Sequence, residues 1–464
     1  MYKTLFFSGI FLLALLYAAP AQNTTVNGDK KYQIIHGLGV NINPQSWNVN
    51  PDSVKKVIDS LVDGLGCTSF RLMYDDCDWE YHNDNDDPDI YNWAYYDSVY
   101  SLPRFTCVWN TVAYLNSKGI SDITLSPDGA TPAWMGGTKL IPGMEAEYAE
   151  MISSMVNYGI NRRKPAIHFI MISPINETSC DGNEGVLTTA PEFDAIYSAV
   201  ATHLTQDHLN SVTVIGPDDC GRWPENARVI LSNPVTMSKV LRIGGHSYGN
   251  STSTSRGLID LVKKSAYPDR EVIMTEANAV CNGCDGGLYN KSYSFDDYAG
   301  PAYRFVLQHL NAGVNGVQIW EGYDSRYHHP NRTLTWSMWG IFGINDTTRP
   351  DVYTPRAHFY VFKQLYRFVK PGYQRIDIAT ELPKMTLSAF YNPADGRFVI
   401  TGKNDSDKAQ SMNVMLKNLS AGSSLRYFYS DEQHHFSRET DVPVKGHAFS
   451  KLIPAYCVFT LVSK

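Results

Sequence analysis

Two glutamates follow short apolar runs, and each run has the composition of a buried strand. Glu177 ends the run 166–177, and Glu276 follows the run that begins at Glu271. Carboxylates at the ends of two parallel strands of a barrel would converge at one rim. Two converging carboxylates can act as acid/base and nucleophile at a sugar bond, which is the chemistry of retaining glycoside hydrolysis.

Other polar residues lie at the ends of the remaining strand-like runs. Asn176 precedes Glu177 and could bond the sugar hydroxyl beside the scissile carbon. A buried Glu276 needs partners to stay ionised, and Arg71 and Tyr248 could supply them. Glu177 would then be the acid, with a pKa raised by its surroundings. The further candidates for substrate contacts are Asn41, Asp76, Trp134, His246, Trp320 and Glu321.

These candidates also have structural alternatives. His246 could be a structural histidine, and Trp320 could be a core residue. The acidic stretch 75–89 could bind calcium, bind sugar hydroxyls or form solvated turns. An isolated strand-end glutamate is commonly a surface carboxylate, but two of them together with Arg71 and Asn176 favour catalysis.

Strand-like runs alternate with stretches of helical periodicity through the first three quarters of the chain. The runs are 34–40, 69–74, 123–127, 166–177, 211–217, 239–246, 271–275 and 316–320. Eight strand–helix units predict an α/β fold, a (β/α)8 TIM barrel over residues 34–370. Functional groups of such barrels gather at the carboxyl ends of the strands, where the residues named above lie.

The pattern changes after residue 370, because turn signals and strand-like runs continue without helical periodicity. The runs are 375–378, 385–391, 397–401, 412–416 and 455–462. They predict a C-terminal all-β sandwich side domain over 371–464. The segment 22–33 precedes the barrel and is expected to add a strand to this domain. No low-complexity linker separates the two parts, so we expect them to pack together.

Residues 1–21 have the features of a cleaved signal peptide. Lys3 supplies the positive charge, residues 5–17 the apolar core, and Ala19-Pro20-Ala21 the cleavage site. The core is too short to span a membrane, so we expect no membrane insertion. The mature chain would begin near Gln22 and be secreted or periplasmic. A net charge of −7 argues against nucleic acid as a partner. We expect a monomer.

Eight cysteines lie beyond the signal peptide, and an exported chain can oxidise them. Cys281 and Cys284 could form a local disulfide, stay as thiols or supply half of a zinc site. No second CxxC follows, so a disulfide or free thiols are favoured, and no metal or cofactor is expected. The other pairings left open are Cys67 with Cys107 and Cys77 with Cys180.

Five stretches carry more specific motifs. They are Gln-Ile-Ile-His-Gly-Leu-Gly at 33–39, Ser126-Pro127 with Pro132-Ala-Trp-Met135, Asn176-Glu177, Met274-Thr-Glu276, and Phe-Val-Lys-Pro-Gly-Tyr-Gln-Arg-Ile at 368–376. With these motifs the chain resembles glycoside hydrolase family 30 over nearly its whole mature length. The resemblance implies a retaining mechanism with Glu177 as acid/base and Glu276 as nucleophile. It also implies a β-linked glycan substrate and no cofactor.

The chain departs from that family's pattern around the expected subsites. The departures are at 128–130, at Thr178 after the acid/base, and at 320–329. They leave the polysaccharide open among β-1,6-galactan, β-1,6-glucan and xylan. The sequence therefore predicts a secreted, endo-acting retaining β-glycoside hydrolase. The alternatives are a non-catalytic glycan-binding protein on the same fold and a transglycosylase.

Overall fold

A computed structural model describes residues 22–180, 184–281, 284, 294–328, 334–346 and 348–464. The signal peptide predicted for 1–21 lies outside the described residues. At 75, 76, 327, 328, 334 and 335 the backbone is described and the side chain is not. Within these ranges, no helix is both long and apolar enough to cross a membrane.

Eight parallel strands close into a barrel, which confirms the predicted (β/α)8 architecture. The chain first forms β1 (Thr24–Ile34), which belongs to a second sheet. The barrel strands are β2 (Gly37–Ile42), β3 (Ser69–Asp76), β4 (Ile123–Asp128), β5 (Met171–Ile172), β6 (Thr213–Pro217), β7 (Val240–Tyr248), β8 (Glu271–Asn278) and β9 (Gly316–Ile319). They pair in chain order, and β9 pairs with β2 to close the ring.

Helices cover the outside of the barrel. They are α1 (Ser46–Val49), α2 (Pro51–Asp59), α3 (Trp93–Tyr100), α4 (Pro103–Ser117), α5 (Glu145–Asn157), α6 (Ala190–Gln206), α7 (Trp223–Ser232), α8 (Pro234–Met237), α9 (Ser253–Lys264), α10 (Gly300–Ala312) and α11 (Ala357–Tyr366). Helix α2 shows why they form where they do. The Asn50 side chain caps its first turn, Pro51 occupies the first helical position, and its apolar residues face the barrel. π-helical turns at Ser60–Leu65 and Tyr158–Arg162 extend α2 and α5.

Two of the predicted strands differ most from the structure. The first barrel strand begins at Gly37, because Ile34 instead pairs with Gln374 in the second sheet. In the run 166–177 only Met171–Ile172 joins the ladder on both sides. Pro174 lacks an N–H and cannot continue the ladder. Residues 173–177 therefore form a loop that ends at Glu177.

The remaining strands form two hairpins and one curled sheet. The hairpins pair β10 (Ser325–His328) with β11 (Leu334–Ser337), and β12 (Phe342–Ile344) with β13 (Tyr353–Pro355). The later strands are β14 (Gln374–Thr380), β15 (Met385–Tyr391), β16 (Phe398–Asn404), β17 (Gln410–Lys417), β18 (Ser424–Ser430), β19 (Ser437–Arg438), β20 (Val442–Pro443), β21 (Ala448–Ile453) and β22 (Val458–Ser463). Together with β1 they form a ten-stranded sheet in the order β19-β18-β22-β16-β15-β14-β1-β17-β21, with β20 paired to β18. This sheet encloses its own hydrophobic core.

The curled sheet packs directly on the barrel helices α10 and α11. The Gln364 side chain donates to Ser430 Oγ at 2.9 Å, and Asn311 donates to the carbonyl of Leu387 at 2.9 Å. Val399 of β16 belongs to the same apolar cluster as the barrel core. The two parts are thus joined by buried contacts, as their direct connection in the sequence predicts.

Candidate active site

Arg71 on β3 lies at the centre of the barrel mouth and has no solvent exposure. Its Nη1 donates to Asn41 at 2.9 Å and to Glu276 at 2.7 Å. Its Nη2 donates to Asn176 at 2.7 Å and to Asp218 at 2.8 Å. Asn41 and Arg71 are direct neighbours in the β2–β3 register, which explains the first contact. Nη2 also donates to Ser126 Oγ at 2.9 Å, so one guanidinium holds side chains from five other strands or the loops that follow them.

Both carboxylate oxygens of Glu276 on β8 have hydrogen-bond donors beside them. Arg71 Nη1 donates to Oε1, and Tyr248 Oη donates to Oε2 at 2.6 Å. His246 Nδ1 lies 3.5 Å from Oε2. The predicted contacts of Arg71 and Tyr248 with this glutamate are thus present. Such a set of donors suits a carboxylate in its ionised form.

His246 on β7 links two carboxylates, one on each side of its ring. Nδ1 lies 2.6 Å from Glu177 Oε1, and Nε2 lies 3.1 Å from Asp218 Oδ1. His246 is buried, and burial alone would lower its pKa. The charges of Glu276 and Glu177, with the hydrogen bonds to Asp218 and Glu177, outweigh burial and raise the pKa of His246 well above its ordinary value. An imidazolium between the two carboxylates is therefore favoured in the free site.

The electrostatics of the two glutamates differ from the sequence prediction. Burial raises the pKa of Glu177, but His246, Cys180 and Cys220 together hold it below its ordinary value. Burial and the charge of Glu177 raise the pKa of Glu276, although His246 and Arg71 oppose that change. The expected raised pKa of Glu177 is therefore wrong for the free site. The reason is that the neighbours of Glu177 are hydrogen-bond donors.

Asp218 follows β6 and is a site residue that the sequence analysis missed. It is fully buried, and burial opposes its ionisation. Arg71 and His246 overcome this effect and hold the pKa of Asp218 well below its ordinary value. The strand-end rule could have found it, because it comes directly after Gly216-Pro217 at the end of the predicted fifth strand.

Glu177 lies on the loop after β5 in a left-handed backbone conformation, with φ of 33°. This region is costly for a residue with a Cβ and is held here by neighbouring contacts. The Glu177 N–H donates to the Asp218 carbonyl at 3.0 Å, and the Cys180 N–H donates to the Glu177 carbonyl at 3.0 Å. The loop thereby presents the carboxyl group to the cavity.

An open cavity of about 480 Å³ lies over the two glutamates. Its described lining residues are Met73, Asn176, Glu177, Glu184, Tyr248, Glu276, Val280, Cys281, Trp320 and Trp339. Trp339 was missed by the sequence analysis, since it follows β11 in a connection without a strand-end signal. Its ring contacts that of Tyr248 edge to face at 5.6 Å. The two tryptophans supply aromatic surface beside the carboxylates.

Glu321 and Trp134, which were predicted to bind substrate, lie outside the described cavity lining. Glu321 is fully buried and accepts hydrogen bonds from Ser325 and Ser337. Its predicted contact with substrate is therefore wrong, and its position suits anchoring the β10–β11 hairpin. Trp134 is half-buried and donates to the carbonyl of Glu80 at 2.7 Å, outside the described cavity lining. The side chain of Asp76 lies outside the described residues.

Asn41 and Asn176 bond to the core of the site. Asn41 is fully buried and donates to the Thr275 carbonyl at 2.9 Å, so it positions Arg71 rather than a sugar. Asn176 lines the cavity, and its amide donates to the carbonyl of Glu184 at 3.0 Å. Of the two, Asn176 is the one placed to contact a substrate.

The structure bears on the alternatives that the sequence left open for the acidic loop. Among the described residues of 78–92, aspartate and asparagine side chains accept from backbone N–H groups of the loop, as in a set of turns.

Cys281 and Cys284 form the local disulfide. Cys67, Cys77, Cys107 and Cys180 form no disulfide in the structure, so the Cys67–Cys107 and Cys77–Cys180 pairings are wrong.

Two groups of described side chains bring three metal-ligating atoms within 4.8 Å of one another. They are Glu177 with His246 and Glu276, and Glu177 with Cys180 and Cys220. In the first group the 2.6 Å separation of His246 and Glu177 is that of a direct hydrogen bond. This group is therefore satisfied by its own hydrogen bonds.

Of the comparisons with known proteins, the one with solved structures bears on the fold. No family model matches the sequence, and no curated protein matches it. Among solved structures, a glycoside hydrolase family 30 subfamily 8 xylanase from Clostridium acetobutylicum superposes with a TM-score of 0.71 at 17% identity, covering 96% of this chain and 100% of that one. A family 30 endoxylanase from Clostridium papyrosolvens gives 0.70 at 20% identity, with 96% and 100% covered. An endo-β-1,6-glucanase gives 0.67 at 18% identity, with 96% and 94% covered.

These likenesses establish the class of fold, a (β/α)8 barrel with a β-sheet side domain as found in family 30 structures. They extend over nearly the whole described chain. At such identities the fold is what the comparison shows. The chemistry of this chain has to be argued from its own site.

Proposed function

We propose that the protein is a retaining β-glycoside hydrolase that cleaves polysaccharides. Glu276 would be the nucleophile and Glu177 the acid/base. The observation that carries the proposal is their spacing, because one carboxyl oxygen of each lies within 4.8 Å of the other. Retaining enzymes hold the two carboxyl groups about 5–5.5 Å apart, whereas inverting enzymes need about 6.5–9.5 Å to admit a water.

Glu276 is assigned as nucleophile because two donors fix its carboxylate and favour the ionised form, against the burial that raises its pKa. Arg71 and Tyr248 donate to its two oxygens and orient both of them. Attack of this carboxylate on the anomeric carbon would form a covalent glycosyl-enzyme ester. The bond to the leaving sugar oxygen breaks in the same step.

Glu177 would protonate that leaving oxygen, and His246 would supply the proton across their 2.6 Å contact. The charge of Glu276 is one of the causes of the raised pKa of His246. Ester formation removes that charge, so His246 gives up its proton more readily at the moment when Glu177 needs it. In the second step Glu177 takes a proton from the attacking water, and Glu276 leaves as a carboxylate.

The substrate class follows from the cavity and from the likeness in fold. The site is open and has tryptophan surface beside the carboxylates, which suits stacking against sugar rings. The structures with the same fold include xylanases and an endo-β-1,6-glucanase. We therefore infer endo-type cleavage of a β-linked polysaccharide. We also infer that the enzyme acts as a monomer after export and cleavage near Gln22, which N-terminal sequencing and light scattering would test.

The test begins with a screen of xylan, β-1,6-glucan and β-1,6-galactan, with chromatography of the products. On the responsive substrate, Glu177→Gln is expected to lower kcat by about 10²–10⁴-fold, the usual contribution of a general acid/base. Glu276→Gln should lower turnover to background. With Glu276→Ala and an activated aryl β-glycoside, azide should restore turnover and give an α-glycosyl azide. Proton NMR of early products should show a β-anomer.

Glu381→Gln is the matched control, because it changes an exposed glutamate of the side domain in the same way. Circular dichroism would verify that all variants fold. If both active-site glutamine variants turn over like the wild type, the assignment of roles is wrong. Binding of glycan without new reducing ends would instead indicate a non-catalytic protein. Transfer of sugar to added acceptors in place of hydrolysis would indicate a transglycosylase.

A further inference from the structure

Two free cysteines lie beside the proposed acid/base. Cys180 is on the loop after β5, and Cys220 is on the loop after β6. Their Sγ atoms are 3.7 Å apart, and Cys180 Sγ donates to Glu177 Oε2 at 3.0 Å. The mechanism proposed above uses neither thiol. Their position therefore calls for a separate explanation.

The two loops are already held together by backbone and hydroxyl contacts. The Glu177 N–H donates to the Asp218 carbonyl at 3.0 Å, and the Gly221 N–H donates to Ser179 Oγ at 3.1 Å. A disulfide has an S–S length of about 2.05 Å, so the sulfurs need to approach by less than about 2 Å. Side-chain rotation with a small loop adjustment can supply a movement of that size.

The two thiols differ in the way that an attacking and a resolving thiol differ. Cys220 is exposed, and its contact with Cys180, with help from His246, lowers its pKa although partial burial of the sulfur and the charge of Glu177 oppose this. Cys180 is half-buried, and its contacts with Cys220, burial and Glu177 raise its pKa. Cys220 is thus the more acidic of the two thiols and the one that solvent reagents can reach.

We propose that Cys180 and Cys220 form a reversible disulfide that removes the thiol donor from Glu177. The proposal identifies a modification site for small disulfides of the glutathione class. It rests on the proposed function, since the affected group is the proposed acid/base. It differs from the Cys281–Cys284 disulfide, which is already formed.

The chemistry is a thiol–disulfide exchange in two steps. The Cys220 thiolate attacks one sulfur of oxidised glutathione, forms a mixed disulfide and releases one glutathione thiolate, which takes up a proton. Cys180 then loses its proton to solvent and attacks the Cys220 sulfur, releasing the second glutathione. Two protein thiols are oxidised and one glutathione disulfide is reduced to two thiols. A small dithiol reverses the sequence.

The consequence for Glu177 follows from the groups that face it. His246 faces it from β7 and Glu276 from β8, while the two thiols face it from the loops, with Asp219 beside Cys220. Oxidation removes only the thiol donors, which favour the ionised carboxylate. The proton held by Glu177 and His246 is then lost at higher pH. The alkaline limb of kcat/KM should move up by about half a unit to one unit, because a thiol is a weak donor and its bond to a carboxylate is worth less than that of a hydroxyl.

The experiment compares the mature protein after treatment with oxidised glutathione and after treatment with a dithiol. No Lys or Arg lies between residues 165 and 221, so one tryptic peptide contains both cysteines. After alkylation, the oxidised sample should carry two fewer alkyl groups on this peptide, and digestion at acidic residues should give a cross-linked pair. Cys220→Ser is the control, and its pH profile should not change with either treatment.

Two results would overturn the inference. One is the absence of a Cys180–Cys220 cross-link after treatment with oxidised glutathione. The other is a cross-linked wild type with the same alkaline limb as the reduced protein. The mass measurement does not depend on turnover, so it is separable from the proposed function. Loss of glycan cleavage in both redox states would reject that function, while the mass spectrum still decides whether the disulfide forms.

Discussion

Tyr248→Phe is expected to move the acid limb of the pH–activity profile to higher pH while leaving the fold intact. The Tyr248 hydroxyl donates to Glu276 Oε2 at 2.6 Å, and its ring rests against Trp339. Phenylalanine keeps the ring contact and removes only the donor. Because the hydrogen bond lowers the pKa of Glu276, its removal raises that pKa, and the nucleophile is then ionised only at higher pH.

The magnitude follows from the strength of a hydrogen bond to a charged group, about 1.5–3 kcal/mol. At 1.36 kcal/mol per pKa unit this corresponds to about 1–2 units. Arg71 remains bonded to the other oxygen and compensates in part, so we expect a shift near the lower end, about one unit. Below the acid limb, kcat/KM should therefore fall by about tenfold, since each unit is a factor of ten.

The assay is the pH dependence of kcat/KM on the polysaccharide identified by the screen, because this ratio reports the pKa values of the free enzyme. Tyr114→Phe is the matched control, since it removes a phenol that donates to Asp59 at 2.9 Å outside the described cavity lining. Its profile should match the wild type. An acid limb that stays in place while the plateau falls would refute the reasoning. It would show that Tyr248 acts on the substrate rather than on Glu276.

Two further substitutions test the surrounding charges. Asp218→Asn removes the carboxylate whose hydrogen bond raises the pKa of His246, so the proton shared with Glu177 is lost at lower pH. The alkaline limb of kcat/KM should move down by about one unit, and an upward shift would contradict this. Glu150 is fully buried, and burial raises its pKa to about 10. A raised carboxyl pKa in the folded state means that stability falls as pH rises from about 4.5 towards 10. Glu150→Gln should therefore be more stable than the wild type at pH 8 and similar at pH 5 in urea unfolding. The difference at pH 8 should be up to about 5 kcal/mol, since pH 8 lies about 3.5 units above 4.5 and each unit is worth about 1.36 kcal/mol. A wild-type stability that does not fall between pH 5 and pH 8 would contradict this.

Much of the fold could be predicted from local patterns in the sequence. Alternating apolar runs and helical stretches predict the barrel, because a parallel barrel strand is buried on both faces and reads as apolar. The weakest strand was the one before Glu177, where Pro174 ends the pairing early. Residue types alone did not show that the ladder there is only two residues long.

Parts of the candidate active site could be predicted from the sequence for a similar reason. Glu276, Arg71 and Tyr248 lie on regular strands, and barrel geometry brings the carboxyl ends of such strands together. The contacts among them were therefore predictable from position. The pKa of Glu177 was predicted in the wrong direction, because it depends on donors from His246 and the two loop cysteines.

The architecture, the two carboxylates and their place at the mouth of the barrel follow from the sequence alone, since these depend on local periodicity and on the closure of a barrel. The remaining features of the site depend on how the loops pack. The tertiary structure placed Asp218 against His246, added Trp339 to the cavity, buried Glu321 and brought Cys180 to Cys220. The contacts of Asp218 with His246 and of Cys180 with Cys220 join parts of the chain that are distant in sequence. Their conformation is set by packing between loops, and no local pattern of residues encodes that packing.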